Sequence, residues 1–450
     1  MASGEKGWLT ASAAELGRGI AAELIDPVEL ADAFFDAIDA HPLAGRIYAR
    51  LTRDRARAEA IAARERAAAG NRRGPLDGVP ISWKDLFDTA GVATESGSKL
   101  LQGRVPDEDA EVLRRATIAG TVCLGKTHLT ELAFSGLGIN PVTATAPNRH
   151  DPDRAPGGSS SGAAASVAFD LAPAAIGSDT GGSVRVPSAW NDLVGLKTTW
   201  GLIPNDGVVP LAPGLDTAGP LCRTVEDAAH LYAILADKDL PEIDGQAPAD
   251  LTLFAPHTAV AEDCDTEVTE AVGRALERLS SAGCPVTHGP LDALAKALDP
   301  PYHGGARVGF ETWQTWGAEI EAQPGIMFPQ IEARFRLGER IGRDAFDASV
   351  AYFDQVATTV RAFIADHGLL AMPTVPTLPP PVAPLLADDE AYVLANLMAL
   401  RNTKIFNWLG LAAITLPTGS PSVGLMLVGA PGEEVRLLRA GRVVERVLAG

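Results

Sequence analysis

Apolar and polar positions switch between two periods along the chain, and the switches mark its elements. Asp26-Pro27 reads as an N-cap followed by proline at the first helical position, and VELADAFFDAIDAH behind it repeats apolar residues at helical spacing. A charged helix is predicted over roughly 52–69, so about the first 70 residues read as helical. Gly78-Val-Pro-Ile-Ser-Trp reads as a short strand, 107–119 as an amphipathic helix and Thr121 to Gly125 as a buried strand. Further on, 251–256 and 284–289 read as strands with a helix between them, and about 304–367 as mostly helical. Leu369 to Pro373 reads as a strand running into the proline-rich loop VPTLPPPVAP. Strands at 412–417 and 422–429 and a helix at 433–448 close the chain. Strands alternating with helices argue an α/β sheet covered on both faces. No internal repeat or linker divides the chain, and 239–250 is the best surface loop. The expectation is one domain over 1–450: a helical segment to about 70, a core over about 70–220, a more variable region over about 230–370, and closing strands and helix over about 370–450.

The most informative stretch is Pro156 to Gly201, PGGSSSGAAASVAFDLAPAAIGSDTGGSVRVPSAWNDLVGLKTTWG. It holds two Gly-Gly-Ser turns, with room between them for a helix of small residues and a strand. Upstream, Lys84 follows the apolar run Val-Pro-Ile-Ser-Trp. Two serines and a lysine can supply a nucleophile, a proton bridge and a base without histidine. The lysine serves as a base only when neutral, and burial lowers its pKa by disfavouring the charged form. Ile81, Trp83, Leu86 and Phe87 are placed to desolvate Lys84, whereas Asp85, if close, would oppose that shift. Backbone amides of a glycine turn can hold an oxyanion.

PGGSSSG, GSDTGGSVRVPSAW and VGLKTTWG together resemble the amidase signature family. Lys84 lies 99 residues before Ser183, and Ser159 lies 24 before it, as that family spaces its catalytic groups. The resemblance is dense over about 70–220 and extends through MPTVPTLPPP and FNWLGLAAITLPTG. It implies a single large α/β/α sandwich, with a mixed, twisted central sheet covered by helices. It implies Ser183 as nucleophile, Ser159 as bridging serine behind a cis Gly158-Ser159 peptide, and Lys84 as general base. The backbone amides of Thr180, Gly181, Gly182 and Ser183 would face the oxyanion. Asp179 and Arg185 would brace the turn, with Ser160 as a further supporting serine. Phe134 and Ser135 match the stretch lining the acyl side of family pockets. Ser161 stands where the family usually has glycine, Thr127-His128 where Thr-Asn is frequent, and Asn191 where cysteine is frequent.

The implied activity is hydrolysis of a carbon–nitrogen amide bond in a small molecule through a seryl acyl-enzyme, with no metal or organic cofactor. A carbamate or urea-like substrate on the same three residues is an alternative. So is the glutaminase subunit of a tRNA-dependent amidotransferase, although WGLIPNDGVVPLAPGLDTAG looks more like stand-alone amidases.

Two other patterns compete. Gly120 to Thr127 matches GxxxxGK[ST], but those residues read as a strand, whereas a phosphate-binding loop follows one and opens a helix. Gly158 to Gly162 matches GxSxG, but HDPDRAP before it is a loop and not the strand such an elbow needs. Composition is ordinary for a globular chain, 46% hydrophobic and 21% charged. A formal charge of −19 disfavours direct contact with nucleic acid or an acidic membrane surface. The N-terminal MASGEKGWLT is too polar for a secretory signal, and no run of about 18 apolar residues reads as a membrane span. Cys123, Cys222, Cys264 and Cys284 are scattered and read as free thiols, and the eight histidines show no metal-site spacing. The expected setting is cytoplasmic, with a small amide as partner; chain length and amphipathic helices are compatible with a homodimer.

Overall fold

The structure, a computed structural model, describes residues 3–298 and 304–449, so residues 299–303 of the variable region lie outside it. Its frame is one mixed sheet of 11 strands: β1 (Tyr48–Leu51), β2 (Pro80–Lys84), β3 (Val122–Thr127), β4 (Ala174–Ser178), β5 (Val194–Lys197), β6 (Ala218–Cys222), β7 (Leu253–Pro256), β8 (Val286–Gly289), β9 (Leu369–Pro373), β10 (Ala412–Pro417) and β11 (Gly424–Gly429). Their spatial order is β1-β3-β2-β4-β6-β5-β10-β11-β9-β7-β8. β2 runs parallel to both β3 and β4, and β7 parallel to β8 and β9; the remaining pairs are antiparallel.

Period-two packing shows that both faces are covered. Leu369, Ala371, Leu425 and Leu427 join one apolar cluster, with Leu437, Val443 and Val444 of the closing Glu434–Ala449 helix. Leu370, Met372, Met426 and Val428 point the other way, against Phe353, Val360 and Ile364 of the Arg343–His367 helix. Asp26 caps the Pro27–Ala40 helix as expected, its carboxylate accepting from the amides of Val28 and Glu29.

Several expectations are corrected. The first 70 residues are not wholly helical, because β1 forms an antiparallel edge on β3. The helix expected at 107–119 begins only at Glu111, whereas the 304–367 stretch is mostly helical as expected, in the helices Gly304–Ala322, Pro329–Arg336 and Arg343–His367. The proline-rich loop gives way to a short helix, Val382–Ala387. Of the GxxxxGK[ST] residues, Val122 to Thr127 form strand β3 and Gly120 and Thr121 precede it; Lys126 donates to Thr94 Oγ1 (2.8 Å) and pairs with Asp85 (3.1 Å). Among the described residues no helix is long and apolar enough to cross a membrane.

Candidate active site

Parallel pairing of β2 with β4 brings the C-terminal ends of the two strands side by side, and these ends carry Lys84 and Ser178. The loop before the Ser161–Ala168 helix lays Ser159 across them. That helix is buried along its whole length, which only small side chains allow. A side chain at Gly162, for example, would press on backbone oxygens of Ile47 and His128, at 2.5 and 2.7 Å. The peptide between Gly158 and Ser159 is cis. The Ser159 carbonyl accepts from Thr130 N (3.1 Å), and Gly158 N donates to Gly136 O (2.7 Å), so the turn is held on both sides.

Lys84 is fully buried, and its Nζ donates to Ser159 Oγ at 2.7 Å and to Ser178 Oγ at 2.8 Å. Burial pushes the Lys84 pKa down to about 7, against the opposing pull of Asp216 and Asp179. Asp85 does not compensate. Asp85 lies in the turn just past the end of β2, and its carboxylate pairs with Arg50 (3.0 Å) and Lys126 (3.1 Å) instead. Ser160 holds the turn from its other side: Ser160 Oγ donates to Ser178 O at 3.2 Å, and its amide donates to Ser183 O at 3.3 Å. The Ser161 hydroxyl, where the family resemblance led one to expect glycine, is buried without a hydrogen-bond partner among the described residues. Asn191, another departure, donates to the carbonyls of Pro156 (2.7 Å) and Pro187 (2.8 Å) and ties the first turn to the helix after the second.

The second turn, Asp179 to Ser183, is built on a buried carboxylate. Asp179 receives Gly182 N (2.8 Å) and Val184 N (3.2 Å), together with Arg185 Nε and Nη2, both at 3.0 Å. Burial alone would raise its pKa, but the Arg185 guanidinium holds the carboxyl well below the usual range. Gly182 N–H is therefore occupied. The amides of Thr180, Gly181 and Ser183 make no hydrogen bond within the described residues. The Ser183 hydroxyl likewise has no hydrogen-bond partner among them. It lines a cavity of about 310 Å³ together with Thr180, Gly181, Phe134 and Ser135.

The Arg401–Trp408 helix clamps this turn from outside. Thr403 Oγ1 donates to Gly181 O (2.7 Å), and Asn407 Nδ2 donates to Asp179 Oδ1 (2.8 Å). Behind the turn, Thr180 Oγ1 donates to Asp216 Oδ1 (2.6 Å), whose pKa burial pushes up to about 6. Ser178, Asp216, Thr403 and Asn407 were not found from the sequence. Asp388 caps the preceding Asp389–Ala399 helix; the Arg401–Trp408 helix that carries Thr403 and Asn407 has no side-chain cap, and nothing local marks their function.

With the sheet and the paired glycine turns in place, comparison with known proteins fixes the class. The chain belongs to the amidase family, whose family model matches residues 29–438, and it is an amide hydrolase. It is 35% identical over 406 residues to the 2-amino-5-chloromuconic acid deaminase of Comamonas testosteroni, covering 88% of this chain and 87% of that one. It is 34% identical over 477 residues to one subunit of the glutamyl-tRNA(Gln) amidotransferase of Chloroflexus aurantiacus, covering 98% and 96%. A solved amidase structure superposes with a TM-score of 0.86 at 29% identity, over 97% of this chain and 99% of the other.

Proposed function

We propose that the protein is a stand-alone amidase that hydrolyses a small-molecule amide through an acyl-enzyme on Ser183. The observation that carries this reading is the 2.7 Å contact between the fully buried Lys84 amine and Ser159 Oγ, one glycine turn away from Ser183. A lysine with a pKa near 7 is partly neutral at neutral pH and can accept a proton. Ser183 Oγ attacks the amide carbonyl while its proton passes to Ser159 and that of Ser159 to Lys84. The carbonyl oxygen, gaining negative charge, is received by the free amides of Thr180, Gly181 and Ser183, with Gly182 N–H reserved for Asp179. The C–N bond then breaks, and Lys84 returns its proton through Ser159 to the leaving amine. Water enters by the reverse relay and releases the acid. Hydrogen bonds between catalytic groups often tighten only once substrate arrives, and the Ser159–Ser183 link is of this kind.

Ser178 holds Lys84 on its second side, and Asp179, Arg185 and Ser160 fix the two turns. A second reading, the glutaminase component of an amidotransferase, draws on the similarity to the Chloroflexus protein. The Comamonas testosteroni relative is named a deaminase of 2-amino-5-chloromuconic acid, which adds an acidic substrate class to the alternatives. Labelling with a fluorophosphonate serine probe, wild type against Ser183→Ala, tests the nucleophile. A panel of anilides, primary amides, carbamates and glutamine then separates the substrate readings. Equal labelling of both proteins would refute Ser183 as the nucleophile.

A further inference from the structure

The cavity at Ser183 is apolar along most of its wall, with Leu211, Leu298, Leu397 and Trp408 among its lining residues. Two cations interrupt that wall, Arg334 and Lys404. Neither forms an ion pair among the described residues. Arg334 Nη1 donates to the Phe134 carbonyl (2.9 Å), and its guanidinium lies over the Phe134 ring, 4.2 Å from the centroid. Lys404 Nζ lies over the Trp408 ring at 5.3 Å. Lys404 also stands over the nucleophile turn: its Cβ is the nearest atom, at 3.8 Å, to where a side chain on Gly181 would begin.

A half-buried cation without a counter-charge has lost hydration and gained no opposite charge in exchange. Here two share one small cavity. Burial and the neighbouring charges of Arg334 and Arg401 push the Lys404 pKa down to about 8, and burial pushes Arg334 down to about 10. The chain as a whole carries −19, so this cavity is a local reversal of the protein's field. The arrangement suits an anion brought by the substrate. The direction follows from the chemistry proposed above, on which this inference rests. The amide nitrogen must face Ser159, which delivers its proton, and neither Ser159 nor Lys84 lines the cavity. The acyl part therefore extends into the cavity, towards Arg334 and Lys404.

We infer that the substrate is an amide whose acyl chain carries a carboxylate, bound by Lys404 and Arg334 a few bonds from the scissile carbonyl. The described lining residues include no aspartate or glutamate. Among the described residues an ammonium beside that carboxylate would find no counter-charge there and would face two cations. The cavity thus selects a plain carboxylated amide over glutamine, which has the same carboxylate and amide but adds an α-ammonium.

Three amides of equal carbon number test this: glutaramate, valeramide and L-glutamine, followed by ammonia release. The expected kcat/KM for glutaramate exceeds each of the other two by about tenfold or more, mostly through KM. Lys404→Met should lower the glutaramate-to-valeramide ratio by about tenfold or more, and Lys404→Arg should restore much of it. Glutarate, which cannot be turned over, should raise the thermal midpoint of wild type more than that of Lys404→Met, a readout independent of catalysis. Equal turnover of glutaramate and valeramide, or parallel losses on both in Lys404→Met, would overturn the inference. Fluorophosphonate labelling of Ser183 needs no carboxylate and separates the two claims. Labelling without carboxylate preference removes this inference alone, whereas absence of both labelling and turnover removes the proposed function and this inference with it.

Discussion

Asp179 and Arg185 meet two prongs to two prongs, Nε to Oδ2 and Nη2 to Oδ1 both at 3.0 Å, with both side chains fully buried beneath the Ser183 turn. The same carboxylate takes the amides of Gly182 and Val184, so one ion pair fixes the backbone on either side of Ser183. Removing one member leaves a buried charge with no counter-charge, a loss of about 3–5 kcal/mol. Arg185→Leu should therefore lower unfolding free energy by about that amount in urea and abolish Ser183 labelling. A variant within about 1 kcal/mol of wild type would show that Arg185 is not what holds the turn.

Gly182 makes a separate prediction. Its φ of +135° is a conformation other residues avoid, and a Cβ there would overlap Thr403 Oγ1. Gly182→Ala should lower stability by about 1–3 kcal/mol and slow acylation. Thr403→Ala in the same chain should recover part of the stability by making room. Thermal or urea unfolding of the single and double variants checks this, and strictly additive losses would rule out the overlap.

In the proposed mechanism Ser178 positions Lys84. Its hydroxyl accepts from the ammonium at 2.8 Å and so favours the charged form. Ser178→Ala removes that acceptor, and the rate-against-pH midpoint should move to lower pH while the maximal rate falls about tenfold. A purely structural serine would change stability and leave the midpoint where it is. An unshifted midpoint would therefore refute the positioning role.

How much of this was legible in the sequence depended on the local signal. Strands such as Leu369–Pro373 and Ala412–Pro417 were found because apolar runs between turn residues carry their own signature. β6 was missed because it contains Gly219 and Pro220, which a strand interior disfavours. The structure gives the reason for the glycine: a side chain at 219 would overlap the Leu196 carbonyl oxygen of β5. β1 was missed because its four residues lie between helices and gain strand character only by pairing with β3. At the site, Lys84, Ser159 and Ser183 were named through motif spacing, and the structure brings Lys84 and Ser159 into contact. Gly182 was expected among the oxyanion donors, but its amide is engaged by Asp179. Thr403, Lys404 and Asn407 reach the turn from more than two hundred residues away, by tertiary packing that no local pattern encodes.

In the proposed mechanism Lys84, neutral and acting through Ser159, takes the proton of Ser183. For this base the folded pKa is depressed, so the neutral, active form grows as pH rises through about 7. The most direct measurement is the second-order rate of fluorophosphonate labelling from pH 5 to 9, in wild type and in Lys84→Met, an apolar replacement of similar length. On this mechanism the wild-type rate climbs with a midpoint near 7, and the variant folds but labels about 10²–10⁴-fold more slowly with no such midpoint. A flat wild-type profile over that range, or labelling of folded Lys84→Met at the wild-type rate, would contradict it.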